Sequence, residues 1–254
     1  MKIARFSTGG DPRYGILDGD ELVVLRGDPM FSGYDTLEER VALSDAKLLA
    51  PVIPRSKIIA VGRNYRAHAA EFGNEVPTEP MLFFKPNTSV VGPDDAIVLP
   101  RHSTNVEFEG ELAVIIGSIA KNVAEADAAS VIFGYTVAND VSERDWQKSD
   151  GQWARAKGAD TFCPIGPFIE TEFDLGAETV QTRLNGELRQ DAPLTDMVHS
   201  VSSVVAFASA VFTLLPGDII LTGTPAGVGK IVDGDVVEVT VSGIGTLRNP
   251  VRAG

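Results

Sequence analysis

Three carboxylates stand two residues apart in the stretch NVEFEGELAVIIG, residues 105–117: Glu107, Glu109 and Glu111. The branched apolar run Leu112 to Ile116 that follows has the composition of a buried strand. Side chains two apart in a strand share a face, so the spacing predicts the three glutamates in a row, with Phe108, Gly110 and Leu112 on the opposite face. Aligned like charges repel. Such a row is tolerable at a wet strand edge, or where a cation lies against it. Carboxylate oxygens are hard ligands, and with no cysteine or histidine on that face they suit Mg²⁺ or Mn²⁺ better than zinc; His102 falls outside the row. A second apolar strand, in YTVANDVSERDWQ, ends on Asn139-Asp140 and is followed by Arg144, Asp145 and Gln147. An aspartate at a strand end is commonly a turn former. As a third oxygen ligand, Asp140 would instead join Glu109 and Glu111 and leave positions open for water or substrate, as magnesium sites usually do.

NYRAHAAEFG offers acid–base chemistry. If it is helical, His68 and Glu71 are three apart on one face, and the carboxylate can hold the imidazole in one tautomer and raise its basicity. A surface helix carrying a casual polar pair has the same spacing. IILTGTPAGVGK invites comparison with a phosphate loop, but the spacing from Gly223 to Gly229 is wrong and Ile231 follows Lys230. A glycine-rich turn after a buried strand still offers backbone N–H groups, with the hydroxyls of Thr222 and Thr224, to an anion. Lys85 and Lys157 are single cations near turns. Cys163, the one cysteine, has no disulfide partner in the chain, and Pro164 places it in a turn or at a strand end as a packed thiol.

The elements that must position these groups are mostly β. Strands are expected at 58–61, 81–85, 111–116, 133–139, 168–170, 179–184, 218–222 and 236–242, and helices at 66–72, 124–129 and 202–214. The last helix is apolar nearly all round and should stop at Pro216-Gly217, packed inside the fold. Asn185-Gly186 and Asp233-Gly234 read as hairpin turns. Ahead of these, residues 1–52 read as a small N-terminal β module with a hairpin at Asp18-Gly19, ending in the proline-bearing linker LLAPVIPRSK. The expected fold is a mostly β domain over residues 53–254 with a few helices, and nothing like the regular alternation of a doubly wound sheet.

Composition bounds the function. Among 254 residues, 44% are hydrophobic and 22% charged, as in ordinary globular proteins. The net charge of −13 would repel a phosphate backbone or an anionic bilayer, so neither nucleic acid nor membrane is an expected partner. The longest weakly polar stretch, Val201 to Leu215, is shorter than a membrane span and contains three serines. The N-terminus has no signal-like apolar core, and a soluble cytoplasmic protein is expected.

In chain order, VGRNYRAHAAE, PMLFFKPNTSVVG, NVEFEGELAVIIG, YTVANDVSERDWQ, ARAKGADTFCPIGP and GDIILTGTPAGVG resemble the fumarylacetoacetate hydrolase family over roughly residues 57 to 252. The resemblance implies a mixed β-roll catalytic domain, usually assembled as a homodimer. It places Mg²⁺ or Mn²⁺ on Glu109, Glu111 and Asp140, with Glu107 outside the ligand set. It matches His68 and Glu71 to a water-activating dyad on a lid, and Lys157 to a cation beside the reacting oxygen. Arg144, Gln147, Lys157 and Thr224 match residues that hold the substrate's carboxylate and oxo groups, and Lys85 a further lysine near the pocket. One departure stands out. Fumarylacetoacetases proper carry an additional metal-binding aspartate shortly before the lid, where this chain has Arg63-Asn64, so the shorter branch is the better match. The implied activity is metal-dependent chemistry on a small 2-oxo acid through a metal-bound enolate. That enolate can arise by C–C hydrolysis of an acylpyruvate or by decarboxylation of oxaloacetate. Isomerisation of 2-hydroxyhepta-2,4-diene-1,7-dioate or 5-carboxymethyl-2-hydroxymuconate is the other enzymatic reading, and a non-catalytic metabolite binder would share the fold. The presence of both dyad residues favours hydrolysis, since an isomerase needs no activated water.

Overall fold

The computed structural model describes all 254 residues. The N-terminal segment forms β1 (Lys2–Ser7), β2 (Arg13–Asp18), β3 (Glu21–Leu25), the single-turn α1 (Pro29–Ser32), β4 (Thr36–Ala42) and β5 (Lys47–Leu49). Next come β6 (Ile58–Gly62), α2 (Arg66–Glu71), β7 (Met81–Lys85), β8 (Val90–Val91), β9 (Ile97–Leu99), β10 (Val106–Phe108) and β11 (Gly110–Ile116). The middle of the chain contributes β12 (Ile132–Asn139), β13 (Ser142–Glu143), α3 (Arg144–Ser149), α4 (Ala154–Gly158) and β14 (Cys163–Glu170). The remainder supplies β15 (Thr179–Leu184), β16 (Glu187–Pro193), α5 (Val201–Val211), β17 (Ile219–Leu221), β18 (Gly229–Lys230), β19 (Val236–Val241) and β20 (Gly245–Ala253). The fold is mostly β with mixed sheets, as the sequence implies.

A 12-stranded sheet runs β4-β3-β2-β1-β14-β12-β11-β17-β6-β7, with β5 on β1 and β8 on β14; a five-stranded sheet runs β16-β15-β19-β20-β9, and β13-β10-β18 form a third. Strand β11 sits near the middle of the large sheet and is buried on both faces, which is why its sequence from Leu112 to Ile116 is a continuous apolar run without polar alternation. Leu112, Val114 and Ile116 face a core shared with Val180, Val237, Val239 and Leu247 of the five-stranded sheet and with α5. Ala113 and Ile115 face a second core with Ile58, Ala60, Ile165 and Ile219, to which the N-terminal segment adds Ile3 and Leu25. The N-terminal strands also pack a small core around Phe6, Leu22 and Val24, which Phe168 of β14 joins.

Two hairpin turns lie within a residue of where the sequence predicts. Asp18 is the last residue of β2 and pairs with Glu21 across Gly19-Asp20, one residue later than the expected Asp18-Gly19, and Leu184 pairs with Glu187 across Asn185-Gly186, whose φ values of 52° and 84° are those a tight two-residue hairpin demands. Asp233-Gly234 is different. It is a turn, but β18 pairs with β10 while β19 pairs with β15 and β20, so it joins strands of different sheets and closes no hairpin. The helix expected at 124–129 is a 3-10 segment, Glu125–Val131. Helix α5 ends at Val211, earlier than expected, because Leu214 exchanges backbone hydrogen bonds with Ala120 (3.0 and 2.8 Å) and draws the chain into extended conformation before Pro216 is reached. It is not enclosed on all sides either: Val201, Val204, Val205 and Ala208 are buried, whereas Val211 is 57% exposed. No helix is long and apolar enough to cross a membrane.

Candidate active site

The acidic row does not lie on one continuous strand. Strands β10 and β11 belong to different sheets, and Glu109 is the joint between them. Its neighbours' backbone groups are held at the break: the Asp140 N–H donates to the Glu109 carbonyl (2.8 Å), the Glu109 N–H to Asn139 Oδ1 (2.9 Å) and the Gly110 N–H to Gln190 Oε1 (3.0 Å). The alternation survives the break. Phe108 is buried, and Arg144, the first residue of α3, reaches both Glu107 Oε2 through Nε (2.7 Å) and Glu109 Oε1 through Nη2 (2.5 Å). Glu109 and Glu111 converge with Asp140, which follows β12 directly: all three are buried, and one oxygen of each lies within 4.8 Å of the others.

Three cations are built around this cluster. Lys157 of α4 places Nζ at 2.6 Å from both Glu109 Oε2 and Asp140 Oδ2. Lys85, the last residue of β7, donates to Asp140 Oδ1 (2.5 Å) and to the Val141 carbonyl (3.4 Å). Arg144 completes the set. Burial works against the charged form of Glu109, but Lys157 and Arg144 outweigh it and hold that carboxyl well below the usual carboxylate range. Burial likewise opposes the charge on Lys157, and Asp140 and Glu109 overcome it, so its ammonium is held above the usual lysine range.

Glu111 has no such partner. Its Oε2 accepts the Gly223 N–H (2.7 Å), while every ion pair in the cluster goes to Glu107, Glu109 or Asp140. Burial, then the negative charges of Asp140 and Glu109, push its carboxyl well above the ordinary value. A buried carboxylate facing two others without a cation of its own is a local deficit of positive charge. A small divalent ion would fill it, and three convergent hard oxygens are the donor set Mg²⁺ or Mn²⁺ prefers. Glu109, Glu111 and Asp140 therefore fit such a cation.

Helix α2 carries the acid–base pair over the cluster. His68 Nδ1 lies 3.3 Å from Glu71 Oε2, and its Nε2 lies 4.0 Å from Glu109 Oε1. The helix is docked at several points. Glu71 also accepts the Gly227 N–H (3.2 Å to Oε1), the Phe72 ring packs edge-on to His68, and the Arg144 guanidinium stacks over Phe72 at 4.9 Å. Ahead of the helix Asn64 is buried, donating to the His199 and Thr222 carbonyls (3.0 and 2.8 Å) and accepting the His199 N–H (2.8 Å). The glycine-rich turn after β17 thus offers its N–H groups to anions as its sequence suggests, but the anions are the protein's own Glu111 and Glu71.

A cavity of about 330 Å³ opens on this arrangement. His68, Glu109, Glu111, Asp140, Arg144, Gln147, Lys157 and Thr224 line it. Gln147 Oε1 accepts from Arg144 Nη1 (2.9 Å), and the Thr224 hydroxyl donates to the Gly110 carbonyl (2.9 Å) while accepting from Gln190 Nε2 (2.7 Å). Glu71 and Lys85 do not reach the surface of the cavity: Glu71 holds His68 from outside, and Lys85 grips Asp140 from beneath. The lining also includes Arg63, Asn74, Phe83, Lys148 and Trp153, none of which stands out by type or spacing. Arg63 has a signal only in its backbone, a non-glycine φ of 58°.

Comparison with known proteins agrees with this architecture. The family model described as fumarylacetoacetate (FAA) hydrolase C-terminal matches residues 57–252, and one described as Rv2993c-like, N-terminal matches residues 1–51. Protein Rv2993c of Mycobacterium tuberculosis is 51% identical, with 99% of this chain and 98% of that protein covered. The crystal structure of 2-hydroxyhepta-2,4-diene-1,7-dioate isomerase from Mycobacterium marinum superposes with a TM-score of 0.92 at 44% identity, covering 100% of this chain and 98% of that one. The maleylpyruvate hydrolase of Sphingobium sp. SYK-6, solved with manganese(II) and pyruvate, superposes with a TM-score of 0.82 at 34% identity over 100% of both chains. On sequence and structure together, the chain belongs to the fumarylacetoacetate hydrolase family.

Proposed function

We propose that this protein is a divalent-cation-dependent enzyme that hydrolyses a carbon–carbon bond of an acylpyruvate-type 2-oxo acid, acting in the cytoplasm as a homodimer. The observation that carries the hydrolytic reading is the position of His68. One ring nitrogen is held by Glu71, and the other faces the cavity beside Glu109. A carboxylate on Nδ1 favours the tautomer protonated there and leaves Nε2 free as a base. Glu109, Glu111 and Asp140 would hold Mg²⁺ or Mn²⁺, which when bound would act as a Lewis acid on the substrate's 2-oxo oxygen.

The side chains account for the rest of the reaction. Arg144, Gln147 and Thr224 line the wall against which the substrate's carboxylate and oxo groups would lie. His68 Nε2 takes a proton from water, and the resulting hydroxide adds to the distal carbonyl carbon, C4. The C3–C4 bond then breaks, and its electron pair passes to C3 and is shared with the 2-oxo oxygen, near which Lys157 contributes positive charge. His68 returns the proton to C3. One water is consumed, and pyruvate and a carboxylic acid leave.

A second reading is favoured by the likeness to the Mycobacterium marinum isomerase. The same base could move a proton along a dienol diacid without activating water. Incubation with Mg²⁺ or Mn²⁺ and acetylpyruvate, oxaloacetate or the dienol diacid separates the readings. Hydrolysis releases equimolar pyruvate and acetate from acetylpyruvate; isomerisation changes the ultraviolet absorbance of the dienol without pyruvate. Inactivity on all three would overturn the enzymatic reading and leave a metabolite binder.

A further inference from the structure

We propose that Gln190 is a positioning residue that sets the mutual orientation of Glu109 and Glu111 and, with the same amide, orients the Thr224 hydroxyl. The proposal rests on the reading of the acidic cluster as a cation site.

Gln190 belongs to β16, the edge strand of the five-stranded sheet, and it is the one fully buried residue in a strand that is otherwise exposed or half-exposed. The pairing of β15 with β16 is irregular at this point: Thr182 faces Gln190 and Arg183 faces Leu188, so Arg189 has no partner. An extra residue of this kind twists a strand and redirects the neighbouring side chain. Here it sends the Gln190 amide toward Gly110 of β11 and the turn after β17, between which its three bonds are divided. Oε1 accepts the Gly110 N–H (3.0 Å), and Nε2 donates to Thr224 Oγ1 (2.7 Å) and to the Pro225 carbonyl (2.7 Å).

The directions of these bonds are forced. A backbone N–H can only donate and a backbone carbonyl can only accept, so Gly110 fixes which end of the amide is oxygen and Pro225 which end is nitrogen. Thr224 must then accept from Gln190 and give its own hydrogen to the Gly110 carbonyl (2.9 Å). Gln190, Thr224 and Gly110 form a closed ring of hydrogen bonds that takes in both peptide groups of Gly110, the one residue that separates Glu109 from Glu111. The ring is enclosed as well as bonded: a Cβ at Gly110 would run into Thr182 Oγ1, and a side chain there would displace the amide. No ladder bond supplies the Gly110 N–H, so loss of Oε1 would leave a buried donor without a partner and free the hinge between the two glutamates.

The test uses the full chain with Gln190→Met and Gln190→Glu. Mn²⁺ binding is read from the electron paramagnetic resonance of the free ion, and oxalate binding to the Mn²⁺-loaded protein by calorimetry. Gln190→Met removes both functions, and the Mn²⁺ dissociation constant should rise about 10- to 100-fold. Gln190→Glu keeps an acceptor for Gly110 but turns the Thr224 hydroxyl toward itself. Mn²⁺ affinity should therefore be no weaker than in the wild type, while the negative charge now placed beside Thr224 opposes the dianion and lowers oxalate affinity about tenfold. If Gln190→Met does not unfold cooperatively, Gln190→Asn, one methylene too short to reach Gly110, stands in for it. A purely structural role would lower thermal stability in these variants and leave both affinities unchanged; that outcome, or equal Mn²⁺ losses in the Met and Glu variants, overturns the proposal. Failure of the wild type to bind Mn²⁺ would instead remove the cation reading, and this inference with it.

Discussion

His68 has two carboxylate neighbours with different tasks. Glu71 orients the ring, and Glu109 belongs to the cluster below it. His68→Ala should therefore lower hydrolysis by about 10²–10⁴-fold while Mn²⁺ affinity stays within about threefold of the wild type. Parallel loss of both would mark the residue as structural. Lys85 and Asp140 form a pair with side chains 0% and 2% exposed. Lys85→Met would leave Asp140 with Lys157 alone and crowd three carboxylates, so the protein should lose about 3 kcal/mol of stability, in part recovered by Mn²⁺. Denaturation midpoints with and without the ion check this, and an unchanged midpoint would show that Lys85 contributes little. Burial pushes the Cys163 thiol up to about 12. At pH 8 it remains protonated, below the pH at which the thiolate forms. Iodoacetamide should leave the native protein unlabelled and react only after denaturant is added.

The six-residue α2 is too short to be stable in isolation and depends on what it touches. Its latch is the Glu71 carboxylate on the Gly227 N–H. Gly227 has φ +100°, and a Cβ there would run into the Arg189 carbonyl. Gly227→Ala should accordingly cost about 1–3 kcal/mol locally and raise hydrogen exchange across residues 65–73, with β11 unaffected. Exchange unchanged across that peptide would show that Phe72 and Asn64 hold the helix without the latch. Helices α3 and α4 are held differently. The Glu143 side chain accepts the Trp146 N–H (2.6 Å) to start α3, whereas α4 has no side-chain cap and is held by its buried Ala156 and Lys157. Together they bring Arg144 and Lys157 to Glu109 from two directions.

The N-terminal strands continue the large sheet: Lys2 pairs with Glu170 and Ile3 with Ile169, so β1 extends the sheet from β14. Ile3 and Leu25 complete the core behind β11 and β17. A chain lacking residues 1–51 would expose the β14 edge and the apolar residues behind it. It should bind a hydrophobic dye and aggregate at concentrations where the full chain does not. A monodisperse truncated protein of unchanged thermal stability would show that the catalytic portion needs no such cover.

The acidic row, the His68–Glu71 spacing and the two hairpin turns were legible because each depends on neighbours a few residues away: strand alternation, helical turn and the positive φ taken up by Gly19 and by Asn185-Gly186. Helices α3 and α4 were not, since short polar helices lack the apolar period that marks a longer one. Gln190 carried no signal at all. One glutamine on an exposed strand looks like any other until a register irregularity aims it at a peptide 80 residues away. Local order along the chain thus decided which chemical groups were present and which faces they could share. Their convergence came only from packing: Lys157 reaches Glu109 across 48 residues and Lys85 reaches Asp140 across 55. Contacts at such separations form only when sheets pair and cores close, and no short-range periodicity encodes that.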